Sequence, residues 1–323
     1  MTSALPGTET RLATTAAGIR FSNPVVLAAG TAGYGRELSG VMDLRALGGL
    51  VTKAVSVAPR SGAPSPRVAE FSGGMINAVG LANPGLDVVR RDHLPWLREH
   101  LGAAGPRVIV NVVGSVIDDF ATVVAGIEES LPAGAGAGVD AFELNVSCPN
   151  VKSGGLEFGS DVVALRAVVR GARDATRRPL FVKLSPTLPD IAATAATAID
   201  AGADAISLVN TIPGLVIDVE RRRPALGFGS GGVSGAALLP VGVLATWKVH
   251  RALPHVPLFG LGGVSSANDV LQYLMAGASL VGIGTAAMRD PRAPARIVDE
   301  LARWCARHGT TVEELTGALE RSP

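Results

Sequence analysis

The sequence contains few cysteines and few lysines, and both shortages limit what the protein can be. Its 323 residues include two cysteines, Cys148 and Cys305. Two are too few for a disulfide framework or for holding an iron–sulfur cluster alone. Arginine carries most of the positive charge, so a lysine within an apolar strand indicates a specific role. Only four of the 29 basic residues are lysines: Lys53, Lys152, Lys183 and Lys248.

Long apolar runs and blocks of like charge are also missing. Mean hydropathy is +0.34, yet no apolar run approaches the roughly 18 to 20 residues that a membrane helix needs. The formal net charge is +1, so nothing indicates nucleic acid or an anionic membrane as a partner. Residues 1–15 lack a basic patch followed by an apolar core. We therefore expect a cytoplasmic protein with reduced thiols.

The sequence does contain eight short apolar segments separated by segments of helical length. Alternation of strand and helix predicts parallel strands joined by right-handed crossovers. Eight such units favour a closed (β/α)8 barrel of the α/β class, with residues 1–323 as a single domain. The predicted strands are Val25–Ala29, Gly49–Lys53, Val108–Val112, Ala141–Asn145, Leu180–Leu184, Ala205–Asn210, Val256–Gly260 and Leu280–Gly284. Predicted helices include Leu86–Leu101, Asp161–Ala175, Asp190–Ala201, Val241–Leu253 and Ala267–Ala276.

Two intervals between predicted strands are longer than the others. The excess falls at about 56–83 and 212–235, which are rich in Gly, Pro, Ser and Asn. We predict that these are insertions at the C-terminal mouth of the barrel, hairpins or lids, and not separate domains. Residues 13–26 are predicted to form a short N-terminal hairpin that closes the barrel floor. Residues 133–138 are predicted to form a flexible loop.

Polar side chains stand at the carboxyl ends of five predicted strands, where barrel enzymes carry their active sites. One asparagine alone could merely cap the following helix, but the five together favour a shared site. Glycine-rich turns follow the last two strands, at 260–263 and 282–284. Glycine lets backbone N–H groups approach a phosphate closely, so these turns favour a phosphate site. The five strand ends are Lys53, Asn111, Asn145, Lys183 and Asn210.

Cys148 follows the fourth predicted strand in a polar loop, beside Ser147 and Asn150. A free cysteine is usually a small buried apolar residue, and Cys305 on a predicted helix fits that interpretation. Cys148 does not, so its thiolate could serve as a nucleophile or general base. The five histidines lie on helices or before the seventh strand, and no cluster has the spacing of metal ligands. We expect no metal.

Taken in order, these segments resemble the dihydroorotate dehydrogenases over most of the chain. Each segment is short, but the ordered set is specific. A cysteine as base, together with the lack of an N-terminal membrane helix, resembles the soluble class 1. The stretch from Cys148 to Gly155 is most similar to the NAD-linked type, class 1B. The matching segments are 52–54, 77–85, 111, 145–155, 183–186, 209–211, 231–235, 260–263 and 284–285.

The resemblance implies a catalytic subunit that oxidises (S)-dihydroorotate to orotate in de novo pyrimidine (UMP) biosynthesis, with FMN as cofactor. Cys148 would remove the C5 proton while the C6 hydride passes to FMN. Electrons would continue to NAD through a partner subunit that carries FAD and a [2Fe–2S] cluster, because this chain has too few thiols for one. Barrels of this family are commonly homodimers.

The resemblance also implies which residues bind substrate and flavin. Neutral amides and one cation suit a planar, anionic substrate, and Lys183 would lie beside the N1/O2 edge of the flavin. Two departures are an alanine where the family usually has serine, at Ala29, and no polar residue at 226–228. The implied substrate ligands are Lys53, Asn77, Ala78, Val79, Gly80, Leu81, Asn145, Asn210 and Thr211. The implied FMN ligands are Ala29, Lys53, Ala54, Asn111, Asn145, Lys183, Val209, Gly235, Gly262, Gly263, Gly284 and Thr285.

Three alternatives remain open at this level. A Schiff-base aldolase or isomerase barrel would use Lys183 or Lys53, but it leaves Cys148 and the asparagines unexplained. A non-catalytic phosphate-binding or scaffolding barrel would make the polar strand ends helix caps. A self-contained, fumarate-reducing dihydroorotate dehydrogenase would share almost every site residue, and differs in needing no second subunit.

Overall fold

Short strands alternate with helices along the part of the chain that the computed structural model describes, residues 11–102, 105–132, 138–147 and 157–320. The strands are β1 (Thr14–Ala16), β2 (Ile19–Phe21), β3 (Val25–Leu27), β4 (Gly49–Val51), β5 (Val68–Phe71), β6 (Gly74–Asn77), β7 (Arg107–Val112), β8 (Ala141–Asn145), β9 (Leu180–Leu184), β10 (Ala205–Leu208), β11 (Ile212–Gly214), β12 (Ile217–Asp218), β13 (Arg223–Pro224), β14 (Gly231–Ser234), β15 (Leu258–Leu261) and β16 (Leu280–Ile283). The α-helices are α1 (Arg36–Ser39), α2 (Leu86–Val88), α3 (Leu94–Leu101), α4 (Ile117–Glu128), α5 (Val162–Ala175), α6 (Ile191–Asp200), α7 (Leu239–Ala252), α8 (Ala267–Met275), α9 (Thr285–Arg289), α10 (Ala293–His308) and α11 (Val312–Leu315).

Eight parallel strands close into a barrel in the order β10-β15-β16-β3-β4-β7-β8-β9. They are the eight strands predicted from the sequence, so the (β/α)8 barrel is confirmed. Several of them end earlier than predicted, which leaves Lys53 and Asn210 just beyond β4 and β10. Backbone pairing nevertheless continues there, because the Asn210 N–H donates to the Leu184 carbonyl at 2.9 Å.

The barrel interior is apolar at the floor and polar towards the mouth. Phe21 of the β1–β2 hairpin packs there against Ile109, Phe181 and Phe259 in one buried cluster, so the predicted hairpin does cover the floor. Side chains alternate between the two faces of a strand. On five barrel strands, the next inward position lies two residues after a residue of this apolar cluster. These positions are Lys53, Asn111, Glu143, Lys183 and Ser207.

Both insertions contribute to one antiparallel sheet at the mouth, in the order β11-β14-β6-β5. The junction between them is the β14–β6 pair, in which Gly232 lies opposite Asn77. The sequence predicted hairpins or lids at the mouth without indicating that the two insertions pair. In the structure they form one cover, which we call the mouth sheet (β5, β6, β11 and β14). The hairpin of β12 and β13 extends from the second insertion.

The helix predicted over 86–101 consists of three consecutive segments. Between α2 and α3 lies one π-helical turn, Val89–His93. Pro95 has no N–H to donate, so an unbroken α-helical ladder cannot run through it, and the wider turn lies just before it. Asp161 and Asp190, predicted as helical, are instead N-caps that accept two backbone N–H groups each.

Among the described residues, no helix is long and apolar enough to cross a membrane. Of the predicted loop at 133–138, residues 133–137 lie outside the described part of the chain.

Candidate active site

A cavity of about 1020 Å³ lies between the mouth sheet and the upper ends of the barrel strands. This volume is near the upper end of the roughly 300 to 1,000 Å³ typical of ligand pockets. Cys148 lies outside the described residues. All the other site residues predicted from the sequence line this cavity: Ala29, Lys53, Ala54, Asn77, Ala78, Val79, Gly80, Leu81, Asn111, Asn145, Lys183, Val209, Asn210, Thr211, Gly235, Gly262, Gly263, Gly284 and Thr285.

Within the described part of the chain, the asparagines at the strand ends form hydrogen bonds with other side chains, and none of them caps a helix. Asn210 donates from Nδ2 to Oδ1 of Asn145 at 3.2 Å, and Asn111 donates from Nδ2 to a glutamate at 2.7 Å. In the mouth sheet, Asn77 donates to the carbonyl of Gly232 at 3.2 Å. The helix-cap alternative is therefore not supported for these side chains, which bring amide groups to the floor and the cover of one cavity.

Lys183 is the buried cation of this cavity. It is 7% exposed and lines the floor from β9. No carboxylate of a described residue lies within 4.0 Å of its ammonium group. An uncompensated buried charge is costly, so an anionic or electron-rich ligand in the cavity would stabilise it.

The glycine-rich turns give the other end of the cavity an exposed backbone. Gly262 and Gly263 have φ angles of +119° and +78°. A Cβ on Gly263 would lie 2.4 Å from the Leu239 nitrogen, so the close approach of the two chain segments requires glycine there. Beside these turns, Thr285 donates from Oγ1 to the Ser234 hydroxyl at 2.9 Å. This bond joins the last barrel turn to the mouth sheet.

Sequence reasoning missed Glu143, which is fully buried on β8. Oε1 accepts from Nδ2 of Asn111, and Oε2 accepts from the Ser207 hydroxyl, both at 2.7 Å. Its signal was a carboxylate within the apolar strand Ala-Phe-Glu-Leu-Asn. Because that strand alternates in and out of the barrel, the carboxylate shares the inward face of Ala141 and Asn145.

Charged residues at the rim were missed as well, because they lie outside the barrel strands, on the mouth sheet, in loops and on the helices after β16. Hydrogen bonds from Arg296, followed by those from Arg292, lower the pKa of Asp290 to about 2. Nε of Arg289 lies 3.4 Å from Oε1 of Glu70 in the mouth sheet. Glu157 also lines the cavity, and burial raises the pKa of its carboxyl group.

Comparisons with known proteins agree with this arrangement. The family model described as dihydroorotate dehydrogenase matches residues 11–304. The chain is 44% identical over 315 residues to the catalytic subunit of dihydroorotate dehydrogenase B (NAD(+)) from Desulforudis audaxviator, covering 97% of this chain and 99% of that protein. It is 43% identical over 305 residues to the protein of the same description from Geobacter sulfurreducens, covering 94% of this chain and 96% of that protein. The chain belongs to the dihydroorotate dehydrogenase family.

Proposed function

We propose that this protein is the catalytic subunit of an NAD-linked dihydroorotate dehydrogenase, which oxidises dihydroorotate to orotate in pyrimidine biosynthesis. The proposal is supported, beyond family membership, by the lining of a single cavity. A buried cation, amide-bearing strand ends and glycine-rich turns all line it, as a flavin and a small anionic substrate together require. The related proteins bear the description NAD(+)-linked catalytic subunit, which favours this type over the fumarate-reducing one.

The cavity suits FMN at both of its ends. Gly262 and Gly263, with Gly235, Gly284 and Thr285, would hold the phosphate through backbone N–H groups and a hydroxyl. Lys183 would lie against the isoalloxazine ring, together with Asn111 and backbone atoms of Ala29, Ala54 and Val209. Bound FMN supplies a hydride acceptor, and a cation beside the ring favours its reduced, anionic form. This pairing would also compensate the buried charge of Lys183.

Dihydroorotate would lie between the strand ends and the mouth sheet. Lys53 would bind its carboxylate, and the amides of Asn77, Asn145 and Asn210, with Thr211, would bind its ring. Residues 78–81, which line the same cavity, would cover it. Cys148 would remove the C5 proton as the C6 hydride leaves. In the sequence, Cys148 stands three positions after Asn145, the last residue of β8.

Electrons would leave through a second subunit that carries FAD and a [2Fe–2S] cluster. The catalytic chain would form a single barrel domain, and it would pair with a second copy of itself and with that subunit. The two cysteines of this chain cannot provide the four ligands that such a cluster takes, so the partner would have to supply the cluster.

The test is the visible spectrum of the purified protein before and after anaerobic addition of dihydroorotate. We expect a yellow protein that bleaches, and NAD reduction only when the partner subunit is added. A yellow protein that does not bleach would rule out dihydroorotate as substrate. Turnover with fumarate and no partner would support the self-contained type. A colourless protein that FMN cannot reconstitute would favour the Schiff-base alternative, which borohydride trapping of Lys183 or Lys53 would then test.

A further inference from the structure

Glu143 occupies the centre of the polar layer of the barrel. Its side chain is fully buried, and its two carboxylate oxygens accept hydrogen bonds of 2.7 Å from Asn111 on β7 and Ser207 on β10. Both donors are neutral. The carboxylate therefore links two barrel strands that are not neighbours in the sheet, and it fixes the direction in which the Asn111 amide points.

Among the described residues, no cation pairs the charge of this carboxylate by contact: no Lys, Arg or His nitrogen lies within 4.0 Å of it. Phe181, its Cα partner on β9, belongs to the apolar cluster of the barrel floor. In such surroundings an unpaired charge acts over several ångströms, because little water screens it.

Glu143 does not line the cavity, but its neighbours do. Asn111 and Lys183 of the same inward layer form part of the cavity floor, and so does Asn145, two residues beyond Glu143 on β8. The carboxylate therefore cannot touch a ligand directly. It can act only through the orientation of Asn111 and through its electrostatic field.

We propose that Glu143 is a positioning residue that holds the Asn111 amide and that its negative charge lowers the reduction potential of the flavin bound above it. This inference rests on the proposed function, because it requires a flavin in the cavity. Lys183 favours addition of an electron pair to the ring, and Glu143 opposes it. The two buried charges of one layer thus set the potential between them, so that the flavin can both accept a hydride and pass electrons on.

The experiment is an anaerobic spectroscopic titration of the midpoint potential of bound FMN in wild type, Glu143→Gln and Ser207→Ala. Glutamine removes the charge and keeps both contacts, because its carbonyl can accept from Asn111 and its amide can donate to Ser207. We expect the potential to rise by at least a tenfold shift in the redox equilibrium, about 30 mV for a two-electron couple. Ser207→Ala keeps the charge and removes a donor that disperses it, so we expect the potential to fall.

The expected changes in midpoint potential have opposite signs in the two variants, and this separates an electrostatic role of Glu143 from a structural one. A rise in the Gln variant together with a fall in the Ala variant supports the proposal. Any other combination would overturn it. If the Gln variant does not fold, Ser207→Ala decides alone: a fall supports the proposal, and any other result overturns it. Wild-type protein that binds no flavin would instead contradict the proposed function, which is a different result.

Discussion

At the scale of single residues, the two cysteines of the chain should differ sharply in their effect on the reaction. With Cys148 as the general base, Cys148→Ala should keep its flavin but slow anaerobic flavin reduction by dihydroorotate about 10²- to 10⁴-fold. Cys305 is fully buried in the hydrophobic core, and burial raises the pKa of its thiol. Stopped-flow absorbance measures the rate in both variants.

Cys305→Ala is the matched control for this experiment. It should bleach at the wild-type rate and lose only stability, because Cys305 is buried in the core on α10 and does not line the cavity. Equal rates in the two variants would rule out Cys148 as the base.

Two glycines at the proposed phosphate end of the cavity, Gly263 and Gly284, should respond differently to substitution by alanine. Gly263→Ala places a Cβ 2.4 Å from a backbone nitrogen, so it should destabilise the fold by about 1–3 kcal/mol and weaken FMN binding. A Cβ on Gly284 would have no neighbour closer than 3.7 Å. Gly284→Ala should therefore fold normally and weaken FMN binding only if the phosphate lies against it.

Thermal unfolding of the apoprotein and fluorescence titration with FMN measure the two effects separately. Gly40→Ala, where no atom lies within 4 Å of the added Cβ, is the control. If Gly263→Ala bound FMN as the wild type does, the glycine turn would not be the phosphate site.

The site residues that could be predicted have a local sequence pattern, and the residues that were missed do not. Lys183 and Asn145, for example, stand at the ends of apolar strands, which is visible in the sequence. Ser234 and Glu143 matter through partners that are distant in the chain, Thr285 and Ser207. Their roles depend on which strands become neighbours in space, and local pattern does not contain that information.

At the scale of elements, the contact between β6 and β14 determines how well the mouth sheet covers the cavity. A Cβ on Gly74 would lie 2.0 Å from the Ser234 carbonyl oxygen. Gly74→Ala should therefore force these strands apart at a cost of about 1–3 kcal/mol. If that cost falls on substrate binding, the KM for dihydroorotate should rise roughly 5- to 150-fold, with less effect on FMN.

Steady-state kinetics of Gly74→Ala and of Arg221→Ala would measure this effect. Arg221 lies on the exposed hairpin outside the cavity, so its variant should keep the wild-type KM. An unchanged KM in Gly74→Ala would mean that the mouth sheet does not contribute to substrate binding.

The packing of His250, on α7, against two glycine-containing turns should make the stability of the protein sensitive to acid. The ring of His250 lies beside Gly277 and Gly317, and burial lowers its pKa below the ordinary 6.5. The unfolded chain therefore binds a proton at this residue more readily than the folded one, so stability is lost as the pH falls through about 6.5. The Tm should drop between pH 7.5 and 5.5, and less in His250→Gln than in wild type. Parallel slopes in the two proteins would contradict this assignment.

Element type could be predicted where the pattern is local, as the eight barrel strands show. The mouth sheet could not, because its strands are short and pair across about half of the chain. Gly232 and Asn77, for example, lie 155 positions apart. The π-helical turn before α3 was also missed, since helical periodicity is similar on both sides of it.

At the scale of the whole molecule, the aromatic pair inside the barrel should contribute strongly to global stability. Phe181 and Phe259 meet edge to face with centroids 6.5 Å apart, and Phe259 is fully buried. Phe259→Ala should lower the free energy of unfolding by about 3–5 kcal/mol, because it leaves a cavity within a closed ring of strands.

Chemical denaturation of the apoprotein measures this difference. Val163→Ala, at a position 77% exposed on α5, should change the free energy by about 0.5 kcal/mol or less. A small change in the free energy of unfolding of Phe259→Ala would indicate that the surrounding side chains relax to fill the cavity.

The overall architecture was predictable because eight alternating units leave few arrangements. The joining of the two insertions into a single cover was not, since nothing local determines which loops meet over the mouth.

The long-range pairing of the mouth sheet also constrains the order of folding. β6 pairs with β14, and β3 pairs with β16, so both the cover and the ring require segments that are synthesised late. Contacts between distant segments form slowly, because the loop between them must first be closed. A partly synthesised chain therefore has no complete cavity, and only a finished chain can retain the flavin and the substrate.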